Sequence, residues 1–263
     1  MKILAMTCCC VDVFPEKGAV VAGGNALNLA VACSKTGKAD VYIMGNIGDD
    51  NYGKKVKDSI ACFNINTHRL YTVKGETAHH IINIDENGDR YFKPDSWHNG
   101  VWTDYVISES DKIFMQSMDI VATTCYESTF KDILNIRAKS EFLLSVDFHD
   151  EKIDKRWEKY LNNIDLFFIS GNNQKLEQLK IWSEQFNAVF IATLGKDGSV
   201  AYHKGKKYIC DAVKVNKVVD TTGCGDSYQG AFIVDYSLHN DIKNAMVKGA
   251  ESASVTLSSV GGF

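Results

Sequence analysis

Along most of the chain, short runs of consecutive apolar residues alternate with longer segments whose apolar positions recur at helical spacing. The runs KILAMTCC (2–9), ADVYIMG (39–45), DIVATTC (119–125), FLLSVDF (142–148), IDLFFIS (164–170) and AVFIATLG (188–195) read as strands. They are apolar at successive positions, so both faces need covering, as in a parallel sheet. Between them lie helical patterns: ALNLAVACSKT (26–36), stopped by Gly37, NYGKKVKDSIACF (51–63), STFKDILNIRAK (128–139) and QKLEQLKIWSEQF (174–186). Strand alternating with helix predicts an α/β layer structure with right-handed crossovers.

Residues 77–93, TAHHIINIDENGDRYFK, break the pattern. They read as two strands around a turn at Asn87-Gly88, a dipeptide that readily takes the positive φ a tight hairpin needs. With His, Asn and Asp mixed in, these strands do not suit a doubly covered sheet and predict a small antiparallel β flap. A second hairpin is expected at GSVAYHKGKKYICDAV (198–213), bending at Lys204-Gly205-Lys206. No internal repeat or low-complexity linker stands out, so one domain over residues 1–263 is expected.

Charge narrows the partners. A net charge of -4 and a pI near 6.0 argue against a nucleic-acid or anionic-membrane binder. Eight cysteines include the run Cys8-Cys9-Cys10 but no CxxC pair, so no local zinc framework exists. The run is expected as buried thiols in a first strand, in a reducing compartment. The N-terminus lacks the pattern of a secretion signal, and no apolar run approaches bilayer length. A cytoplasmic location is expected.

The stretch DTTGCGDSYQGAF (220–232) carries the chemistry. It follows the β-like segment VKVNKVV and opens a helical pattern. First-turn amides of a helix lack intrahelical acceptors, and Gly223 and Gly225 let an anion approach them. An acid beside a phosphate cradle is repelled unless it acts on a different atom. Asp226 therefore reads as a base for an attacking hydroxyl while the amides hold a transferred phosphoryl group; a helix-capping aspartate in a tight turn is the plainer alternative. No Walker A loop is present, and GxGxxG fails at Tyr228.

These residues resemble the C-terminal signature of the ribokinase-like sugar kinases, also called the phosphofructokinase-B type, with Cys224 where alanine is usual and Tyr228 where phenylalanine is. GGNALNLA (23–30) is similar to their N-terminal signature. GNIGDDNYG (45–53) resembles the G-x-x-G-x-D-x-x-G segment, and TLGKDGS (193–199) the nucleotide loop. The matches come in family order. The resemblance implies a three-layer α/β/α fold with a mainly parallel sheet and a small antiparallel β lid, formed by about residues 12–20 and 71–100. It implies ATP and Mg²⁺ as cofactors, with room for a monovalent cation.

The resemblance also assigns roles. Asp226 would be the base, with Gly223, Cys224 and Gly225 offering amides to the γ-phosphate. Asp12, Gly24 and Asn28 would bind the sugar; Arg90, just past the flap turn, reads equally as reaching a substrate anion or as a solvated side chain. Asn172, Thr193, Gly195 and Gly198 would face the nucleotide, and GAESASVTLSSVGG (249–262) the adenine. One departure stands out: where the family has N-x-x-E, Asn172 is followed by Lys175, with Glu177 two residues later. In length and in the NGDRYF flap the chain most resembles fructoselysine 6-kinases. Ribokinase, fructokinase and nucleoside kinase remain alternatives within the class, and a non-catalytic sugar or nucleotide sensor outside it. The expected partners are a sugar, ATP and, through the exposed flap edge, a second copy of the chain.

Overall fold

Apolar runs flanked by turn residues become strands here because each finds a parallel neighbour on both sides. The computed structural model describes residues 1–84, 90–91, 93–258 and 261–263, with Ile84 and Arg90 described by backbone alone. The first strands are β1 (Lys2–Ala5), β2 (Cys10–Phe14), β3 (Ala19–Gly23), β4 (Asp40–Gly48) and β5 (Ile65–Val73). Short strands follow: β6 (His79–Ile81), β7 (Asn83–Ile84), β8 (Arg90–Tyr91) and β9 (Trp97–His98). The later strands are β10 (Ile120–Thr124), β11 (Leu143–Asp147), β12 (Leu166–Ser170), β13 (Val189–Thr193), β14 (Ser199–His203) and β15 (Lys206–Cys210). The helices are α1 (Asn25–Lys35), α2 (Asn51–Ile60), α3 (Glu109–Gln116), α4 (Phe130–Arg137), α5 (Asn173–Gln185), α6 (Cys224–His239) and α7 (Ile242–Thr256).

Among the described residues, the main sheet has nine strands in the order β15-β14-β13-β12-β11-β10-β1-β4-β5. Every pair from β13 through β5 is parallel, and the β14–β15 hairpin adds an antiparallel edge. Successive side chains go to opposite cores. Ile3, Ala5, Val189 and Ile191 pack with Leu27, Phe232 and Met246 of α1, α6 and α7. Leu4, Met6, Phe190 and Ala192 pack with Met115, Ile133 and Trp182 of α3, α4 and α5. This is the three-layer α/β/α arrangement expected from the alternating pattern.

The second sheet, β3-β2-β6-β9, stands off the carboxyl ends of the main strands. Its β2–β3 and β6–β9 ladders are antiparallel and β2–β6 is parallel. β7 and β8 pair antiparallel, and the turn expected at Asn87-Gly88 lies outside the described residues. Asp50 anchors the small sheet. Its carboxylate caps α2 through the Gly53 amide (2.8 Å) and accepts from the Thr77 hydroxyl (2.6 Å) and amide (3.0 Å), just before β6. Burial opposes ionisation there, yet these hydrogen bonds hold the Asp50 carboxyl below its ordinary range.

Two local expectations change. Of the cysteine run only Cys10 lies in a strand; Cys8 and Cys9 form the link from β1 to β2, and all three are buried free thiols. The β-like VKVNKVV (213–219) forms no strand, because the main sheet already ends at β15. It is an irregular link, tied to the end of α7 by the Val219 amide on the Leu257 carbonyl (2.8 Å).

Candidate functional site

Two glycine-led turns bring the first and last thirds of the chain together. Gly24, the residue before α1, has φ +94°, and a Cβ there would stand 2.4 Å from the Cys8 carbonyl. Gly223, before α6, has φ +72° and a Cβ position 3.0 Å from Asn28 Nδ2. Only a residue without a side chain lets α1 and α6 start side by side. From α1, Asn25 Nδ2 donates to Asp226 Oδ1 and Asn28 Nδ2 donates to Oδ2, both at 2.8 Å. Both carboxylate oxygens are thus held by neutral amides.

Asp226 is 6% exposed and meets the neighbouring cleft through Asn25. Burial pushes its pKa up to about 6, against the two asparagine amides that stabilise the charged form. Asp147, at the end of β11, pushes the same way by like-charge repulsion, and His149 opposes it. His149 Nδ1 lies 3.6 Å from Asp147 Oδ2, with its backbone at φ +50°. An acid poised near 6 beside bared amides suits proton abstraction near neutral pH.

The amide nest is fixed from below by Asp220. Its carboxylate accepts from the Thr222 amide and the Gly261 amide, each at 2.9 Å. The C-terminal segment then threads between the two halves of the site. A Cβ on Gly262 would stand 2.0 Å from Asn28 Oδ1, and the Gly223 Cβ position is 2.6 Å from Gly262 Cα. A Cβ on Gly225, by contrast, would meet nothing within 4 Å, so the nest is open on that side. An anion in this cradle would compete with one long bond, that from the Cys224 amide to the Thr221 carbonyl at 3.4 Å.

A cleft of about 520 Å³ runs beside Asn25 along the carboxyl ends of β10 and β11, under the small sheet. Trp97, Trp102, Tyr126, Glu127, His149 and Asp150 are among the residues that line it. The Glu127 carboxyl accepts from the Cys8 amide (3.1 Å) and the Trp102 indole (2.9 Å), and burial pushes its pKa up to about 7. The volume is within the ordinary range for small-molecule sites, about 300–1,000 Å³.

The expected site residues fall into separate groups. Asp226, Gly223, Cys224, Gly225, Gly24 and Asn28 converge. Asp12 sits on β2 rather than in a loop; its Oδ2 is 3.3 Å from where a Gly23 Cβ would be, which brings it close to the start of α1. Thr193 ends β13, and Gly195 opens the turn Gly195–Asp197 that leads into β14. Gly198 is demanded by packing, since a Cβ there would lie 2.1 Å from the Cys210 carbonyl. The Arg90 side chain lies outside the described residues. Sequence reading passed over Asn25, Asp147, His149, Asp220 and Gly262. Asn25 and Asp220 stood inside the motifs already singled out, and Asp147 and His149 at the carboxyl end of a parallel strand, where ligand sites gather.

The magnesium corner does not fit its expected donor. Asn172 is used as the cap of α5, accepting from the Lys175 amide (3.0 Å). Lys175, where a glutamate is usual, donates Nζ to the Ser170 and Asp150 carbonyls, both 2.9 Å. Glu177 is exposed on α5. Among the described residues no group of three or more His, Cys, Asp or Glu could hold a metal, and no helix is long and apolar enough to cross a membrane.

Known proteins share both the motifs and the architecture. The family model described as "pfkB family carbohydrate kinase" matches residues 15–262. A fructoselysine 6-kinase from Shigella flexneri is 30% identical over 252 residues, covering 94% of each chain. The fructosamine kinase FrlD of Bacillus subtilis is 25% identical, covering all of this chain and 93% of its own. In fold, ribokinase from Arabidopsis thaliana superposes with a TM-score of 0.84 at 18% identity, covering 99% of this chain and 93% of that one. The order of motifs, the α/β/α layers and the family match agree: this chain belongs to the pfkB family of carbohydrate kinases, phosphotransferases with an alcohol group as acceptor.

Proposed function

We propose that the protein is an ATP-dependent fructosamine 6-kinase, moving the γ-phosphoryl group to a hydroxyl of a sugar that carries an amine. The observation that carries this reading is Asp226, a buried carboxylate gripped by Asn25 and Asn28 at the mouth of an open amide nest. The acceptor hydroxyl takes the place of the half-buried Asn25 amide on Oδ1 and gives its proton to Asp226. Asn28 keeps the other oxygen fixed, so the carboxylate does not swing away. The amides at Gly223, Cys224 and Gly225 hold the phosphoryl oxygens as charge shifts from donor to acceptor. ATP approaches from the Thr193–Gly198 side, and the small sheet acts as a lid that keeps water out. Asp12 on that sheet and Gly24 beside it bind sugar hydroxyls. Any Mg²⁺ would arrive bound to the nucleotide phosphates, since Asn172 and Lys175 are committed to capping α5 and to the Ser170 and Asp150 carbonyls.

The support for an aminated sugar is the pair of fructosamine-directed relatives together with a cleft lined by Trp97, Trp102, Tyr126 and Asp150. The outer strands of the small sheet, β3 and β9, support pairing of two copies through the lid. The direct test is ADP release over a panel of ketoses, pentoses, nucleosides and fructosamines. Wild-type enzyme is expected to turn over fructosamines best, and Asp226→Asn to lose about 10²–10⁴-fold in kcat. A mutant with full activity removes Asp226 as the base, and a panel led by ribose or a nucleoside removes the substrate assignment.

A further inference from the structure

The outer wall of the cleft has a charge pattern that proton abstraction and phosphate binding leave unused. Its lining, among the described residues, includes no lysine or arginine. A wall built for a sugar phosphate or a carboxylate would need one. It carries acids and exposed aromatic faces instead. Tyr126 is 50% exposed, its ring stacked on His149 at 5.4 Å, and Trp97, in the same cleft, is 38% exposed and edge-on to Trp102. Large aromatic faces left open to a cleft are available to a ligand.

The acids around this wall are not equivalent. Glu127 is taken by the Cys8 amide and the Trp102 indole. Asp147 faces His149, and Glu151 and Asp154 share Arg156. Lys175 donates its ammonium to the carbonyls of Ser170 and Asp150 and feels the Asp150 charge from that position without an ion pair to it. That leaves the exposed Asp150 carboxylate on the wall, with no salt bridge among the described residues. A carboxylate that shares a cleft with open aromatic rings is the environment that holds an organic ammonium, by charge and by ring quadrupoles.

We infer that Asp150, Tyr126 and Trp97 form an ammonium subsite, which reads a protonated amine on the acceptor and selects amine-substituted ketoses over neutral sugars and sugar phosphates. This rests on the sugar-kinase reading for the position of the acceptor and assigns its selectivity to named side chains. The amine lies at the cleft's outer wall while the reacting hydroxyl lies inward, against Asn25 and Asp226.

The test compares two acceptors that differ at one atom: N-(1-deoxyfructosyl)butylamine and the neutral ether 1-O-butylfructose. ADP release and quenching of tryptophan fluorescence are followed for wild type, Asp150→Asn and Tyr126→Leu. Wild type is expected to favour the amine about tenfold in kcat/KM, as one exposed ion pair and a cation–π contact together allow, and both variants to erase most of that preference. Because the substituted positions are exposed, melting temperatures should stay close to wild type. As a readout without mutation, raising the pH until the amine is neutral should remove the preference in wild type. Equal kcat/KM for amine and ether, or a preference that Asp150→Asn leaves intact, overturns the subsite while the kinase reading stands. Amine binding lost in Asp150→Asn, with no ADP release from either compound, upholds the subsite and overturns the kinase reading.

Discussion

At the scale of single residues, the site turns on how two asparagines treat one acid. Burial raises the pKa of Asp226 to about 6, while the Asn25 and Asn28 amides favour its charged form. A base works only when ionised, so activity is expected to be lost on acidification through about pH 6 and to level off above it. Asn25→Ala removes a donor that stabilises the carboxylate, so it should move the acidic limb to higher pH. A profile of kcat/KM against pH checks both. A curve flat down to pH 5, or a limb moved to lower pH in the variant, contradicts this account of Asp226. The acid itself was legible from DTTGCGD, because two glycines bare more amide at a helix start than a capping aspartate needs. Its partner Asn25 was not, since the hydrogen bond spans 201 positions and only folding reveals it.

At the scale of elements, the crossing of α1 and α6 sets the distance between the asparagines and Asp226. Gly230 on α6 lies against α1, and a Cβ there would be 2.8 Å from Ala32 Cβ and 3.0 Å from the Leu29 carbonyl. Gly230→Ala must therefore part the helices. A loss of stability of about 1–3 kcal/mol is expected, with kcat falling more than KM rises because Asn28 is drawn off Asp226. Thermal melts and steady-state kinetics measure the two effects; an unchanged kcat would show that the crossing does not control the site. Most elements could be anticipated, since buried parallel strands must be apolar throughout and Gly37 ends α1. The small sheet could be read only in part. CVDVF of β2 is buried at Cys10, Val11 and Phe14 and half-buried at Asp12 and Val13, so it carries no clean period. VKVNKVV alternates like a strand and yet forms none, because pattern alone does not supply a neighbour.

At the scale of the whole molecule, the small sheet proposed as a lid is the least braced part. It is a narrow sheet whose outer strands β3 and β9 leave one edge each without a partner strand among the described residues. Such edges pair with other chains unless charge or proline blocks them, and AVVAG of β3 holds neither. Pairing through β3 would also stiffen β2, which carries Asp12, and β6, which leads towards Trp97. Light scattering after gel filtration is therefore expected to give twice the 29.2 kDa chain mass. Specific activity should then fall on dilution, as free lids close less often over the acceptor. Val20→Lys, on β3, should shift the mass to that of one chain and weaken the acceptor's KM while far-UV circular dichroism stays unchanged. A chain that runs as a monomer and keeps its full specific activity at nanomolar concentration would show that the lid closes without a partner.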